Sequence, residues 1–187
     1  MASKVQFRLL AFGILALLAG IAIGYALGPS PPSPELTLYD GNADATDIAP
    51  QFGVTFPPDL NPQQRLETLT TLVSRYHFCT LPIEVVALQD EVATINLAEH
   101  DWNQDPENPV DFPGCSGRSW RTNYFQGSAG GMITSKTLAY TLLQPEFQGE
   151  WIEGVTFQYQ GEPIEAGDWD HISLFGVITR DDLEARF

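Results

Sequence analysis

The chain has 187 residues, enough for one ordinary domain and a short appendage, and 43% of them are apolar, enough to build a hydrophobic core. Its 24 acidic residues against 9 basic ones give a formal charge of -15. Such an excess of negative charge repels nucleic acids and anionic lipid headgroups, so neither is expected as a partner. Basic protein surfaces and cations fit the charge better, and the same charge also serves solubility alone.

An apolar segment lies near the N-terminus. Residues 9–27 are nineteen residues without a charge, enough to span a hydrocarbon core of about 30 Å at about 1.5 Å per helical residue. Lys4 and Arg8 precede this segment, and no further basic residue follows until Arg65. The positive-inside rule therefore predicts a single-pass anchor over residues 1–28, with a cytoplasmic N-terminus and an extracytoplasmic C-terminal domain.

A cleaved signal peptide is the alternative interpretation of this segment, with residues 24–26 as a small-x-small cleavage site. The apolar run is longer than the roughly 7–15 residues of a signal-peptide core, which favours the uncleaved anchor. Within it, small residues recur every four positions, at Ala16, Gly20, Gly24 and Gly28. This stripe predicts homo-oligomerisation through the membrane helix, the alternative being the ordinary composition of such helices.

A linker is predicted between the anchor and the folded domain. Residues 29–34 (PSPPSP) predict a stiff, extended spacer at about 3.1 Å per residue. Residues 35–60 show no clear period and are rich in Asp, Pro and Gly, so we expect them to be an irregular lead-in. Residues 61–187 are then the folded domain.

The first helix is predicted over residues 62–77. Asn61 suits the N-cap, Pro62 the first helical position, and Gln64 completes a capping box. Apolar side chains then follow at helical spacing, at Leu66, Leu69, Val73 and Tyr76.

A hairpin is predicted after this helix, with strands at residues 83–88 and 92–97. A long proline-containing insertion follows over residues 98–126. The two cysteines, Cys79 and Cys115, flank the hairpin and most of this insertion. In an exported domain we expect them to form a disulfide, the alternative being two buried thiols.

The second half repeats the order helix, strand, strand. Residues 127–131 open a second helix that runs to Leu143, with Ser128 as its cap. Strands are predicted at residues 154–159 and 171–178. The alternation predicts an α+β fold, a two-layer sandwich with a largely antiparallel or mixed sheet.

One set of positions matches a known pattern. It consists of the run Gly127, Ser128, Ala129 and Gly130, then Thr137, Leu138, Thr141, Leu142 and Gln144, then residues 154–157 and Gly161. Together with the strand at residues 92–97, this set resembles the sporulation and spore-germination domain family GerMN, over roughly residues 62–180. The resemblance implies an exported, membrane-tethered α/β domain that acts in envelope assembly and multiprotein complexes, with no established catalysis. Here the tether is a transmembrane segment instead of a lipidated cysteine.

The glycine-rich helix opening is a candidate anion cradle because N–H groups converge at a helix start. Gly127, Ser128 and Gly130 match neither phosphate-loop pattern, and Lys136 is the only basic residue nearby. Capping and close helix packing are the better interpretation. Ser128 also lacks the G-x-S-x-G context of a hydrolase nucleophile.

An acidic stretch in the insertion is a candidate calcium site. Its oxygen ligands would come from Asp101, Asn103, Asp105 and Asp111. Pro106 stands where an EF-hand loop needs glycine, so an EF-hand is excluded and only a looser site is left. The alternative is a solvated acidic loop.

No catalytic set is evident elsewhere. The three histidines, His77, His100 and His171, form no spaced metal pair. Residues 168–171 place two carboxylates beside an imidazole, and acid–base catalysis by these groups would require them to converge in a cleft. Four tryptophans lie near predicted loops, at Trp102, Trp120, Trp151 and Trp169, and we expect them to complete the core more often than to form a binding surface.

The sequence therefore predicts a non-enzymatic, membrane-tethered extracytoplasmic scaffold that binds other envelope or membrane proteins and needs no cofactor. The alternative is a ligand-binding domain for a divalent cation or a cell-wall polymer, with its site in residues 98–126. A hydrolase that uses Ser128 or the cluster at residues 168–171 is the third hypothesis.

Overall fold

The structure is a computed structural model that describes residues 35–101, 115 and 117–187. The chain begins with strands β1 (Glu35–Gly41) and β2 (Ile48–Thr55), followed by helix α1 (Pro62–His77). Strands β3 (Ile83–Gln89) and β4 (Val92–Leu97) come next, then a π-helical turn at Trp120–Tyr124 and helix α2 (Ser128–Leu143). The last elements are β5 (Gly154–Tyr159), β6 (Glu162–Pro163), β7 (Val177–Thr179) and the short helix α3 (Leu183–Arg186).

The predicted α+β class is confirmed, with two sheets instead of one. Strands β1 and β2 form an antiparallel pair of their own. The larger sheet has the order β3-β4-β5-β6, and β7 also pairs with β5. Strands β4 and β5 are parallel, whereas β3 with β4 and β5 with both β6 and β7 are antiparallel. A parallel pair needs a long crossover, and the chain that carries α2 supplies it.

Local signals placed α1 and the β3–β4 hairpin correctly. The Asn61 side chain accepts a hydrogen bond from Gln64 N (2.9 Å), and the Gln64 side chain accepts one from Asn61 N (3.1 Å), which completes the capping box. Asp90 and Glu91 form the two-residue turn of the hairpin, both with positive φ.

Helix α2 is the central element of the core. It packs against β1, β5, the π-helical turn and α1, and its buried residues lie on every side. A helix surrounded in this way has no polar face, which explains why its apolar pattern is less regular than that of α1.

The prediction of an irregular lead-in is wrong for residues 35–55, which form the β1–β2 hairpin. Leu36 and Leu38 of β1 are buried in the core, and β2 is mostly exposed. The sequence signal was weak because only one strand of the pair carries apolar alternation. The prolines of the predicted spacer lie outside the described residues.

Two smaller predictions are also corrected. Gly127, not Ser128, is the N-cap of α2, and no side chain caps this helix. The last strand covers only Val177–Thr179, since Ser173 N donates to Ser135 Oγ of α2 (3.2 Å) instead of joining the sheet. Gly176, with φ of +65°, then redirects the chain into β7.

The disulfide between Cys79 and Cys115 is confirmed. It joins the end of α1 to the chain that leads into the π-helical turn. In the part of the chain that the structure describes, no helix is long and apolar enough to cross a membrane. The anchor predicted at residues 1–28, with its stripe at Ala16, Gly20, Gly24 and Gly28, lies outside that part.

Candidate functional site

The candidate calcium site falls mostly outside the described residues. Asn103, Asp105 and Asp111 are not among them, and Asp101 is exposed. Within residues 35–101, 115 and 117–187, no group of three or more acidic, histidine or cysteine side chains is placed to hold a metal ion. The calcium prediction therefore stays a prediction.

The structure does not assemble a hydrolase centre from the candidates. Ser128 is exposed at the start of α2, and Asp168, Asp170 and His171 are exposed at a turn. Asp168 accepts a hydrogen bond from Glu165 N (2.8 Å), which closes that turn. No hydrogen bond or ion pair among the described residues joins either aspartate to His171.

The glycine-rich helix opening has a packing role. A Cβ atom on Gly131 would lie 2.6 Å from the backbone oxygen of His171, so this position admits only glycine without a shift. A Cβ atom on Gly130 would meet no atom within 4 Å, and Gly127 has φ of +72°. Close contact thus requires glycine at Gly131 and a positive φ favours it at Gly127, whereas neither reason applies to Gly130.

Two of the four tryptophans complete the core as predicted. Trp120 and Trp151 are buried, and their indole N–H groups donate to Ala98 O (3.0 Å) and Leu142 O (2.7 Å). Trp169 is half-buried and its ring packs against Phe125, whereas Trp102 lies outside the described residues.

A buried carboxylate, Glu99, organises the end of the insertion. Its Oε1 accepts hydrogen bonds from Ser119 Oγ (2.7 Å), Arg121 N (3.2 Å) and the Tyr159 hydroxyl (3.0 Å). Burial, and then the neighbouring Glu99 charge, raise the pKa of Tyr159 to about 12. This cluster holds the π-helical turn against β5 and is structural.

A cavity of about 220 Å³ lies beside the start of α2. It is bordered by the end of β1, the β1–β2 loop, the end of α1, the π-helical turn and the first turns of α2. Its apolar wall includes Phe78, Tyr124 and Ile133, and its polar members include Asp40, His77 and Thr137. A mainly apolar wall with a few polar groups is typical of small-molecule sites.

The hydrogen bond between Asp40 and His77 fixes the state of the imidazole. His77 Nδ1 lies 3.0 Å from Asp40 Oδ2, and the His77 side chain is 8% exposed against 43% for Asp40. Burial lowers the pKa of His77, and the Asp40 carboxylate opposes that shift without overcoming it. At neutral pH the ring is therefore neutral, Nδ1–H donates to Asp40, and Nε2 holds the lone pair.

Two buried polar atoms of this cavity's residues have no hydrogen-bond partner, His77 Nε2 and Thr137 Oγ1. A buried polar group without a partner costs about 1–3 kcal/mol. No pattern in the sequence indicated this site, because Asp40, His77 and Thr137 lie on three different elements far apart in the chain. The only local hint was the glycine-rich start of α2.

A second surface feature is the outer edge of β2. This strand pairs only with β1 among the described strands, and its sequence, IAPQFGVT, contains no charge. Phe52 lies opposite the buried Leu38, and its ring packs edge to face on Tyr76 of α1 at 5.1 Å. Phe52 is 40% exposed and Tyr76 59% exposed, so this aromatic pair is open to solvent beside the strand edge.

Comparison with known proteins gives no relative for this chain. No family model, no curated protein and no solved structure matches it. Membership of the GerMN family stays a prediction from the sequence.

Proposed function

We propose that this protein is a non-catalytic, membrane-tethered extracytoplasmic domain that binds another protein of the envelope or of a membrane complex along the outer edge of β2. In this proposal residues 1–28 are the membrane helix, and the domain that follows is a two-layer sandwich. The edge of β2 that no other described strand covers, beside the Phe52–Tyr76 pair, is the observation that carries the proposal.

An edge strand presents unpaired N–H and C=O groups, and soluble proteins usually guard it with charged side chains. Strand β2 has none, and Pro50 is its one feature that limits pairing. An extended segment of a partner can add to such an edge by backbone hydrogen bonds. The exposed rings of Phe52 and Tyr76 then supply an apolar anchor next to those bonds, as aromatic side chains do at interfaces.

Two other observations support the proposal. The disulfide between Cys79 and Cys115 is typical of proteins outside the reducing cytosol. Removal of Lys4 and Arg8 with the anchor leaves seven basic residues against 24 acidic ones, a charge of -17. That charge favours a partner with a basic surface and a rate of association that falls with salt.

The test is recovery of partners with the full-length protein, purified from its own membranes in mild detergent. Phe52→Lys and Tyr76→Lys place a charge beside the β2 edge, and we expect each to reduce the recovered partners several-fold. Val177→Lys makes the same change at a site that is 53% exposed in the other sheet, and is the matched control. Equal recovery with all three variants, or no partner with the unaltered protein, would contradict the proposal.

A further inference from the structure

The backbone of Gly53 is turned toward the outer edge of β2. In the antiparallel pair of β1 and β2, Gly53 lies opposite Thr37. The side chain of Gln144 bonds both the N–H and the C=O group of Thr37 (2.7 Å each), so neither is available to β2. Opposite residues of an antiparallel pair exchange either both hydrogen bonds or none. Thr37 and Gly53 therefore exchange none, and the N–H and C=O groups of Gly53 point to the outer edge.

Pro50 limits where along this edge a partner can bond. It lies opposite Tyr39, whose N–H group donates to Thr141 Oγ1 of α2 (3.1 Å). Pro50 therefore faces the outer edge as well, but it has no N–H group to donate. Gly53, three residues further along, offers both a donor and an acceptor next to Phe52.

The carboxylate of Glu35 lies over Gly53. A Cβ atom on Gly53 would overlap this carboxylate and would lie 2.7 Å from the Cγ atom of Glu35. The Glu35 side chain, which comes from β1, thus fills the space that a side chain at position 53 would take. Directly opposite residues of paired strands have Cβ atoms about 4.5–5.5 Å apart. A partner residue paired with Gly53 therefore brings its side chain within reach of a negative charge.

The two neighbours of that partner residue meet a different surface, because side chains alternate between the faces of a strand. They lie on the face of Phe52, whose ring packs on Tyr76 and is open to solvent. The edge of β2 therefore offers a negative charge on one face and an aromatic surface on the other.

A second copy of this chain does not fit the edge. Strand β2 contains no basic residue, and two copies joined through Gly53 would bring two Glu35 carboxylates together. Like charges at such short range destabilise a strand pair. The strong negative charge of the whole chain acts in the same direction.

On the basis of the proposed function, we propose that the edge of β2 selects an extended protein segment in which a lysine or arginine stands between two apolar residues. The basic residue pairs with Gly53, where its backbone forms hydrogen bonds and its side chain meets the Glu35 carboxylate. Its apolar neighbours pack on Phe52 and Tyr76.

The test measures the binding of labelled peptides to the full-length protein in an uncharged detergent at low salt. The probe is an acetylated and amidated nine-residue peptide that alternates threonine and valine, with lysine in place of the central threonine. Two comparison peptides have glutamine or glutamate at the centre. We expect the lysine peptide to bind about threefold more tightly than the glutamine peptide and about tenfold more tightly than the glutamate peptide.

Three variants connect this preference to Glu35. Glu35→Lys should reverse the order of the three peptides, and Glu35→Gln should abolish the differences among them. The side chain is exposed at the start of β1, so both variants should fold. Glu162→Lys makes the same change of charge at an exposed position of the larger sheet and is the matched control, which should keep the order.

Amide hydrogen exchange locates the bound peptide, because the Gly53 N–H group should gain protection when the lysine peptide binds. No binding of the lysine peptide, equal binding of the three peptides, an order that survives in Glu35→Gln, or no added protection at Gly53 would overturn the proposed selection. The proposed function itself is decided separately, by partner recovery with Phe52→Lys and Val177→Lys. A partner that is lost only in Phe52→Lys, with equal binding of the three peptides, would leave the edge as the interface and remove only the selection by charge.

Discussion

At the scale of single residues, two neighbouring glycines at the start of α2 differ in whether packing requires them. Gly130 and Gly131 are neighbours with similar helical geometry, and neither has a positive φ. Only Gly131 faces a close backbone atom, His171 O. The pair thus allows one substitution to be compared at two adjacent positions.

We expect Gly131→Ala to lower the free energy of unfolding by about 1–3 kcal/mol, because the new Cβ must displace the chain at His171. Gly130→Ala should be neutral or should stabilise by about 0.5–1 kcal/mol, since alanine favours the helix and meets open space. Urea unfolding of both variants measures the difference. Equal effects at the two positions would show that the close approach to His171 is not the reason for glycine at position 131.

Tyr159 gives a pH-dependent prediction. Its pKa is raised from 10.0 to about 12 by burial and by the Glu99 carboxylate. Between these values the folded protein keeps the phenolic proton and the unfolded chain loses it, so the folded state binds more protons and stability falls as pH rises. The contribution is complete below pH 10 and is lost as pH approaches about 12.

Tyr159→Phe removes this titration together with the hydrogen bond to Glu99 (3.0 Å). We expect the variant to be less stable than the unaltered protein at pH 8, by about 1 kcal/mol for the lost bond. The gap between the two should narrow above pH 10, in thermal unfolding followed from pH 8 to pH 11. Tyr76→Phe, at an exposed ring, is the control, and a constant gap for Tyr159→Phe would refute the assignment.

At the scale of elements, what could be predicted depended on whether the signal was local. The capping box at Asn61 and the apolar strand β5 are specified by residues close to them in the chain, and both were placed correctly. The turn between β3 and β4 was predicted at residues 89–91, whereas the structure confines it to Asp90 and Glu91 because β3 continues through Gln89. Strand β1 depends instead on α2, a hundred residues later in the chain. The cavity could not be predicted from any local pattern, because His77 and Thr137 come to line one cavity only when α1 and α2 pack together.

The side chain of Gln144 makes two of the hydrogen bonds that join β1 to α2, beside the one that Tyr39 N donates to Thr141 Oγ1 (3.1 Å). Its Oε1 accepts from Thr37 N (2.7 Å) and its Nε2 donates to Thr37 O (2.7 Å), so it pairs with β1 as a neighbouring strand would. Gln144 ends α2 in a left-handed conformation and is buried. The sequence shows that Gln144 follows the helix, but it does not show that Thr37 is the hydrogen-bond partner of Gln144.

We expect Gln144→Ala to lower the free energy of unfolding by about 2–4 kcal/mol, because both backbone groups of Thr37 lose their partner. Gln148→Ala, four residues later and exposed, should change it by no more than about 0.5 kcal/mol. Hydrogen exchange adds a local readout, in which the Thr37 amide should lose protection in the first variant. Retained protection there would mean that other contacts hold β1 in place.

At the scale of the whole molecule, the disulfide bears on the compartment that we propose for the domain. The disulfide links residues 36 positions apart and encloses the β3–β4 hairpin, and the chain-entropy model gives such a closure about 4 kcal/mol. A bridge of this kind forms and persists in an oxidising environment. The anchor predicted over residues 1–28 would deliver the domain to such a place.

We therefore expect opposite protease accessibility for epitopes at the two ends of the full-length protein. In spheroplasts, added protease should remove a C-terminal epitope and leave an N-terminal one, and alkylation of intact cells should leave Cys79 and Cys115 unmodified until a reductant is added. Replacing both Lys4 and Arg8 by glutamate removes the positive charge that orients the helix, so a fraction of the chains should invert. Arg65→Glu lies far from the segment and should leave the orientation unchanged, which makes it the matched control. A C-terminal epitope that stays protected until the membrane is lysed, with both cysteines open to alkylation, would place the domain in the cytoplasm and remove the basis for an envelope partner.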